Sequence, residues 1–205
     1  MKIVFMVAAC VSILAVLLIC LFLFASGIPA IGKIGPLEFL FGTEWRPSND
    51  IYGIFPMIVA SIYVTGGAIL VGVPVALFTS VFMARYCPKK IYRPLKSGIE
   101  LMAGVPSIVY GFFGLILMVP LIRQVFGGTG TSWLAASLLL AIMILPTIIG
   151  PTESALRSVP ESYYEGSLAL GATKERSIFF VILPAAKSGI LAAVVLGIGR
   201  AIGET

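Results

Sequence analysis

From Ile3 to Phe24 the chain is apolar at every position except Ser12, and an uninterrupted run of about 20 such residues is what a helix needs to cross a hydrocarbon core. A run of this kind is either a membrane span or the apolar part of a cleaved signal peptide. Lys2 supplies charge ahead of it, but a signal peptide's apolar part is only about 7–15 residues long. Leu17-Leu18-Ile19-Cys20 also places a bulky Ile where a lipoprotein cleavage site takes a small side chain. The run reads as a first span over 3–26.

Composition extends that reading to the whole chain. Hydrophobic residues make up 59% of 205 positions and charged residues 11%, against about 25% charged in a soluble domain. Apolar periods predict further spans at 57–84, 99–122, 133–150 and 185–205, with loops at 27–55 and 151–184. The expectation is an all-α polytopic membrane protein with one integral domain, 1–205. Gly66, Gly67, Gly72, Pro74, Pro106, Pro120 and Pro146 interrupt the middle spans, so these helices should pack against protein, where kinks and close backbone approaches are tolerated.

The net charge of +5 does not indicate nucleic acid, because the cations fall in short runs between apolar segments instead of forming one broad patch. Arg85, Lys89, Lys90, Arg93 and Lys96 lie in one linker, and Arg157, Lys174 and Arg176 in the loop 151–184. The positive-inside rule puts both on the cytoplasmic side, together with the N-terminus, and the loop 27–55 outside with Trp45 at the interface. Three cysteines without paired spacing and the absence of His give neither a disulfide framework nor a zinc pattern. Gly127-Gly128-Thr129-Gly130 has no strand before it and no Gly-Lys-Ser/Thr ending, so it does not read as a phosphate-cradling loop.

The loop 151–184 is expected to hold two short helices. Ser158 and Glu161 have capping-box spacing, Gly171 suits a left-handed stop, and Thr173 can cap the second helix, which runs toward Pro184. Tyr163, Tyr164, Leu168 and Leu170 beside Glu161 and Glu165 form a half-apolar surface. It fits a protein contact, or a connector lying on lipid headgroups.

Glu165-Gly166-Ser167-Leu168-Ala169-Leu170-Gly171, followed after nine residues by Val181-Ile182-Leu183-Pro184, resembles the EAA loop of ABC-importer permeases, with Gly166 and Ser167 in place of two alanines and Val181 in place of Ile. The stretches 41–58, 100–115, 153–177 and 196–205 are similar to the phosphate-importer branch, the PstC permeases, and the likeness covers essentially the whole chain. It implies a MetI-like permease fold and a loop that couples to a separate ATPase, with Tyr163, Tyr164, Glu165, Gly171 and Pro184 as coupling residues. It also implies partners: a second, PstA-like permease, two copies of a PstB-like ATPase that requires ATP and magnesium, and a PstS-like phosphate-binding protein. The chain itself would be a non-catalytic subunit that binds no cofactor, and no metal, in a bacterial or archaeal cytoplasmic membrane. Thr205 ends the sequence at the end of the fifth span, so a sixth helix is expected beyond it in the complete protein.

Arg200 and Glu204 share one face of the fifth span. Ionisable residues inside a membrane normally face a protein interior or a watery pathway. Arg200 offers a planar fork suited to an oxyanion, and Glu204 could hold that fork when no anion is present; a salt bridge between helices is the structural alternative. The likeness to PstC, whose fifth span also looks like Gly-Arg-x-x-Gly-Glu-Thr, implies a phosphate pathway. Other oxyanions or phosphonates, an ATPase-independent channel or carrier, and a membrane scaffold remain alternative functions.

Overall fold

A computed structural model describes all residues 1–205. The chain is helical apart from one small hairpin, and it forms two compact units, Met1–Val59 and Ala60–Thr205.

In the first unit, α1 (Lys2–Ile34) is one long helix with no buried residue. Its apolar residues surround the axis instead of forming a stripe, as in a helix meant for an apolar medium. The helix persists to Ile34, well into the stretch 27–55 that the sequence places in a loop, because Pro29 leaves only one backbone acceptor unpaired and does not end it. Gly35, at φ +96°, makes the break. Then follow α2 (Pro36–Phe41) and an antiparallel pair, β1 (Trp45–Arg46) and β2 (Ile51–Tyr52), with the Trp45 and Tyr52 rings edge to face at 5.6 Å.

The second long helix, α3 (Phe55–Val81), runs on through a π turn, Phe82–Tyr86. The basic linker is no loop: α4 (Lys89–Gly104) is helical and ends at Val105. Pro106 biases Val105 to an extended backbone, φ −71° and ψ 124°. The third apolar span is therefore Ser107–Phe126, built from α5 (Ser107–Phe113), a π turn (Gly114–Met118) and α6 (Val119–Phe126). That corrects the expected 99–122, which read across the break because Ile99, Leu101 and Met102 are themselves apolar.

α7 (Trp133–Ser158) contains both Pro146 and Pro151 and continues well past residue 150. Ser132 caps its start by accepting from the Ala135 amide. Next come α8 (Glu161–Ala169), α9 (Lys174–Ser177), a π turn (Ile178–Ile182), α10 (Leu183–Ala185) and α11 (Lys187–Glu204). Four helices are long and apolar enough to cross a membrane, and the segments Lys174–Ala185 and Lys187–Glu204, bent by 71°, make a fifth if taken as one span.

The core of the second unit forms around α7. One cluster joins Ala68 and Ala76 of α3, Ile144 and Ile148 of α7, and Ala193 and Ala201 of α11. α11 lies against α7 closely because its small residues face large ones. A Cβ on Gly197 would stand 2.5 Å from Ile148 Cγ1, and one on Gly189 would strike Ala155. A second cluster, Val81, Leu156, Val159, Ile178, Ile182 and Ala186, packs the ends of α3 and α7 onto the returning π turn.

Candidate functional site

The loop between α7 and α11 is built as a helix–turn–helix, and Gly171 sets its turn. α8 ends in a Schellman arrangement in which the Ala172 amide donates to the Ser167 carbonyl at 3.1 Å and the Gly171 amide to that of Leu168 at 2.9 Å. Gly171 has φ +85° there, as expected from its place in the sequence. Thr173 caps α9, its hydroxyl accepting from the Arg176 amide. The predicted capping box does not form: Ser158 Oγ donates to the Ala155 carbonyl instead, and Pro160 occupies the N-cap of α8. Because α7 runs on to Ser158, that residue is the last of one helix and not the cap of the next.

One side of the turn is bare. Leu170 is 91% exposed and Tyr163 54%, and Glu165 and Leu168 are exposed beside them. The other side is anchored. Tyr164 packs on the cluster of Leu156, Ile178 and Ile182, and Ser167 Oγ lies 2.6 Å from the buried Ser177 Oγ, which in turn donates to the Thr173 carbonyl. Ser167, one of the two departures from alanine in the motif, therefore fastens α8 to α9. Pro184 is exposed and opens α10, ahead of the 71° bend at which α11 begins.

A polar knot lies where α3 and α7 end and α4 begins, and nothing in the motif signals it. Glu153 is 3% exposed. Its Oε1 accepts from Tyr92 Oη at 2.6 Å and from Arg157 Nε at 2.7 Å, and its Oε2 lies 4.0 Å from Lys96 Nζ. Lys96 also donates to Tyr92 Oη at 3.2 Å. That bond first, then the nearby Glu153 carboxylate, holds its ammonium above the ordinary lysine pKa. Arg157 Nη2 donates to the Met83 carbonyl, and Arg85 Nη2 donates to the Leu156 carbonyl while its Nη1 pairs with Glu161 of α8 at 3.0 Å. In the sequence Arg85 and Arg157 read only as markers of sidedness. The i, i+4 spacing of Glu153 and Arg157 was the available signal, hidden by the expectation that the helix stops before Pro151.

Arg200 and Glu204 of the fifth span do not pair. Arg200, half-buried, donates from Nη1 to Thr147 Oγ1 of α7 at 2.9 Å. Glu204 is exposed on a cavity of about 350 Å³ lined also by Ser107, Gly111, Leu140 and Met143. Thr147, and not Glu204, is the partner of the Arg200 fork.

Residues 72–205, from α3 through α11, match the family described as binding-protein-dependent transport system inner membrane component. The chain belongs to that family. Among relatives of this inner membrane component, the probable ABC transporter permease protein YqgH of Bacillus subtilis is 41% identical over 208 residues, covering 97% of this chain and 66% of its own. The phosphate transport system permease protein PstC 2 of Mycobacterium tuberculosis is 30% identical over 94% of this chain and 66% of its own. PstC of Xylella fastidiosa strain 9a5c is 34% identical over 82% and 58%. The chain thus spans less than two thirds of the length of these relatives. Its membership fits the all-α, multi-span architecture, and the matched residues take in the helix–turn–helix loop but not α1.

Proposed function

We propose that this chain is the transmembrane subunit of an ATP-driven importer of inorganic phosphate, in which the α8–α9 turn docks into a separate ATPase. The observation that carries the reading is the two-sided build of that turn. Tyr163, Leu168, Leu170 and Glu165 are free on one side, while Tyr164 and Ser167 are fixed on the other. A connector resting on headgroups has no need of a rigid projecting tip, whereas a docking knob needs aromatic and aliphatic anchors that lose little freedom on binding. Glu165 and Gly171 occupy the two most characteristic positions of the EAA loop, and Pro184 sets the return into the membrane.

The partners under this reading are a PstA-like second permease, two PstB-like ATPases using ATP and magnesium, and a PstS-like receptor that delivers phosphate. The chain hydrolyses nothing itself. Alternating access would follow from closure of the ATPases, with motion passed through the turn to the spans. Arg200 and Glu204 would line the pathway. Thr147 keeps the Arg200 guanidinium oriented between substrates, and its neutral hydroxyl is a weaker competitor for that fork than an oxyanion would be. The basic ends of α3, α4 and α7 face the cytoplasm, with the N-terminus on the same side.

Co-purification of the full-length chain with its soluble partners, then ATP-dependent uptake of labelled phosphate in vesicles, tests the reading. Competition by sulfate, molybdate and a phosphonate decides the substrate. Uptake persisting without the ATPase would instead make the chain a channel or carrier. Impermeant thiol labelling of single cysteines placed at Lys90 and at Pro47 decides orientation, and Lys90 reacting only from outside would reverse it.

A further inference from the structure

The knot beneath the turn has a geometry that its neighbours do not require. Arg85 projects from the π turn that ends α3 and donates to a carbonyl in the last turn of α7, while Arg157 projects from the last turn of α7 and donates to a carbonyl within that same π turn. Each cation thus sits at the other helix's C-terminus, where unpaired carbonyls and the helix dipole both favour positive charge. From this crossed pair one arm goes to α8, through Arg85 Nη1 and Glu161, and another goes to α4, through Glu153 and Tyr92. The Arg157 guanidinium also lies 4.7 Å from the Tyr92 ring centroid. Arg85 is 11% exposed and Glu153 4% at the side chain, so solvent does not loosen the centre of the knot, although Glu161 and Arg157 reach toward water.

We infer that Arg85 and Arg157 are the transmission element of the importer: they convert displacement of the α8–α9 turn into movement of α3, α4 and α7 together. The inference rests on the turn being the ATPase docking site. The direct apolar packing of the turn reaches the ends of α3 and α7 and the segment leading into α11 through Val81, Leu156, Ile178, Ile182 and Ala186. Apolar contacts of this kind can slide. Directed hydrogen bonds from a planar guanidinium fix both distance and angle, with Arg85 the buried member and Arg157 half-exposed, and so the crossed pair sets the relative position of the ends of α3 and α7 and the start of α4. Neither arginine touches a substrate or a nucleotide on this account; both are positioning residues.

The test uses the full-length protein in the assembled complex, reconstituted in vesicles, with Arg85→Gln, Arg157→Gln and Arg85→Lys. Three readouts are taken together: phosphate moved per ATP hydrolysed, basal ATP hydrolysis, and hydrogen exchange of the amides of residues 161–177. The glutamine variants should assemble and hydrolyse ATP at a basal rate within about twofold of the parent, yet move about tenfold less phosphate per ATP. In Arg85→Gln the amides of 161–177 should also exchange about tenfold faster, because the turn keeps its own bonds but loses its tie to α3. Arg85→Lys keeps the charge but cannot span both acceptors, and should recover part of the loss. Unchanged phosphate per ATP in both glutamine variants would overturn the inference. So would loss of the assembled complex in all three, which would make the knot a folding element only. Failure of the unsubstituted complex to couple uptake to ATP is a different result: it removes the docking reading itself.

Discussion

Arg85 and Arg157 exchange caps: Nη2 of Arg85 lies 3.0 Å from the Leu156 carbonyl, and Nη2 of Arg157 lies 2.8 Å from the Met83 carbonyl. Two helix C-termini that would otherwise leave carbonyls unpaired are each closed by a side chain from the other, and the two helices are thereby held in register. The third nitrogen of Arg85, Nε, is buried without a partner, so the Nη contacts carry the whole of its compensation within the chain.

Arg85 has two acceptors of different worth, and the difference is measurable. A hydrogen bond from a charged group contributes about 1.5–3 kcal/mol, whereas a pair with a solvent-exposed carboxylate contributes only about 0.2–1 kcal/mol. Glu161 is 59% exposed at its side chain. Glu161→Gln should therefore cost well under half of what Arg85→Gln costs, as read from denaturant unfolding in detergent. Equal losses would place the stabilisation in the ion pair and not in the carbonyl cap.

The buried Glu153 carboxylate is compensated by hydrogen bonds from Tyr92 and Arg157 and by the more distant Lys96. Arg157 is 46% exposed and Glu153 4%, so removing the arginine costs less than the about 3 kcal/mol or more of a fully buried pair but still leaves a buried carboxylate short of a partner. Arg157→Met should show that loss, while the double variant Arg157→Met/Glu153→Gln should recover a good part of it, since no buried carboxylate is left behind. Strict additivity in the cycle would show that the two residues act independently.

Gly171 stands at φ +85° with nothing within 4 Å of the place a Cβ would occupy. The cost of substitution is therefore backbone strain alone, about 1–3 kcal/mol for a β-branched residue. Gly171→Asn should be tolerated best, Gly171→Ala less well and Gly171→Val least, in thermal unfolding and in ATPase association alike. Wild-type association by a well-inserted Gly171→Val protein would remove the turn from the docking surface.

Arg200 donates to Thr147, and the two residues should separate transport from assembly. Arg200→Gln should leave the complex intact and abolish most phosphate uptake, with Arg200→Lys intermediate because the charge survives without the planar fork. Thr147→Val frees the guanidinium, so phosphate uptake should persist, with an apparent affinity equal to or tighter than the parent's. Glu204→Gln should slow phosphate release if the carboxylate repels the departing anion. Parallel loss of assembly and uptake in Arg200→Gln would make the Arg200–Thr147 bond a helix tie, and normal uptake would exclude Arg200 from the pathway.

The apolar run from Ile3, the low charge and the segment lengths were enough to determine a multi-span helical membrane protein, because burying backbone polar groups in hydrocarbon leaves helices as the available element for such runs. Local chemistry was equally legible at Gly171 and Thr173, where the conformation depends on neighbours within a turn. Local preference misleads where long-range packing outweighs it. Pro151 removes one donor but does not stop α7, which is buried on several sides by α3 and α11, whereas Pro106 does end α4 by forcing the residue before it out of the helical region. The pairing of Arg85 with Leu156, Arg157 with Met83 and Arg200 with Thr147 was decided only in the fold. Each joins residues separated by 53 to 74 positions in the chain, and no local spacing rule can tell an arginine which carbonyl the tertiary structure will bring to it.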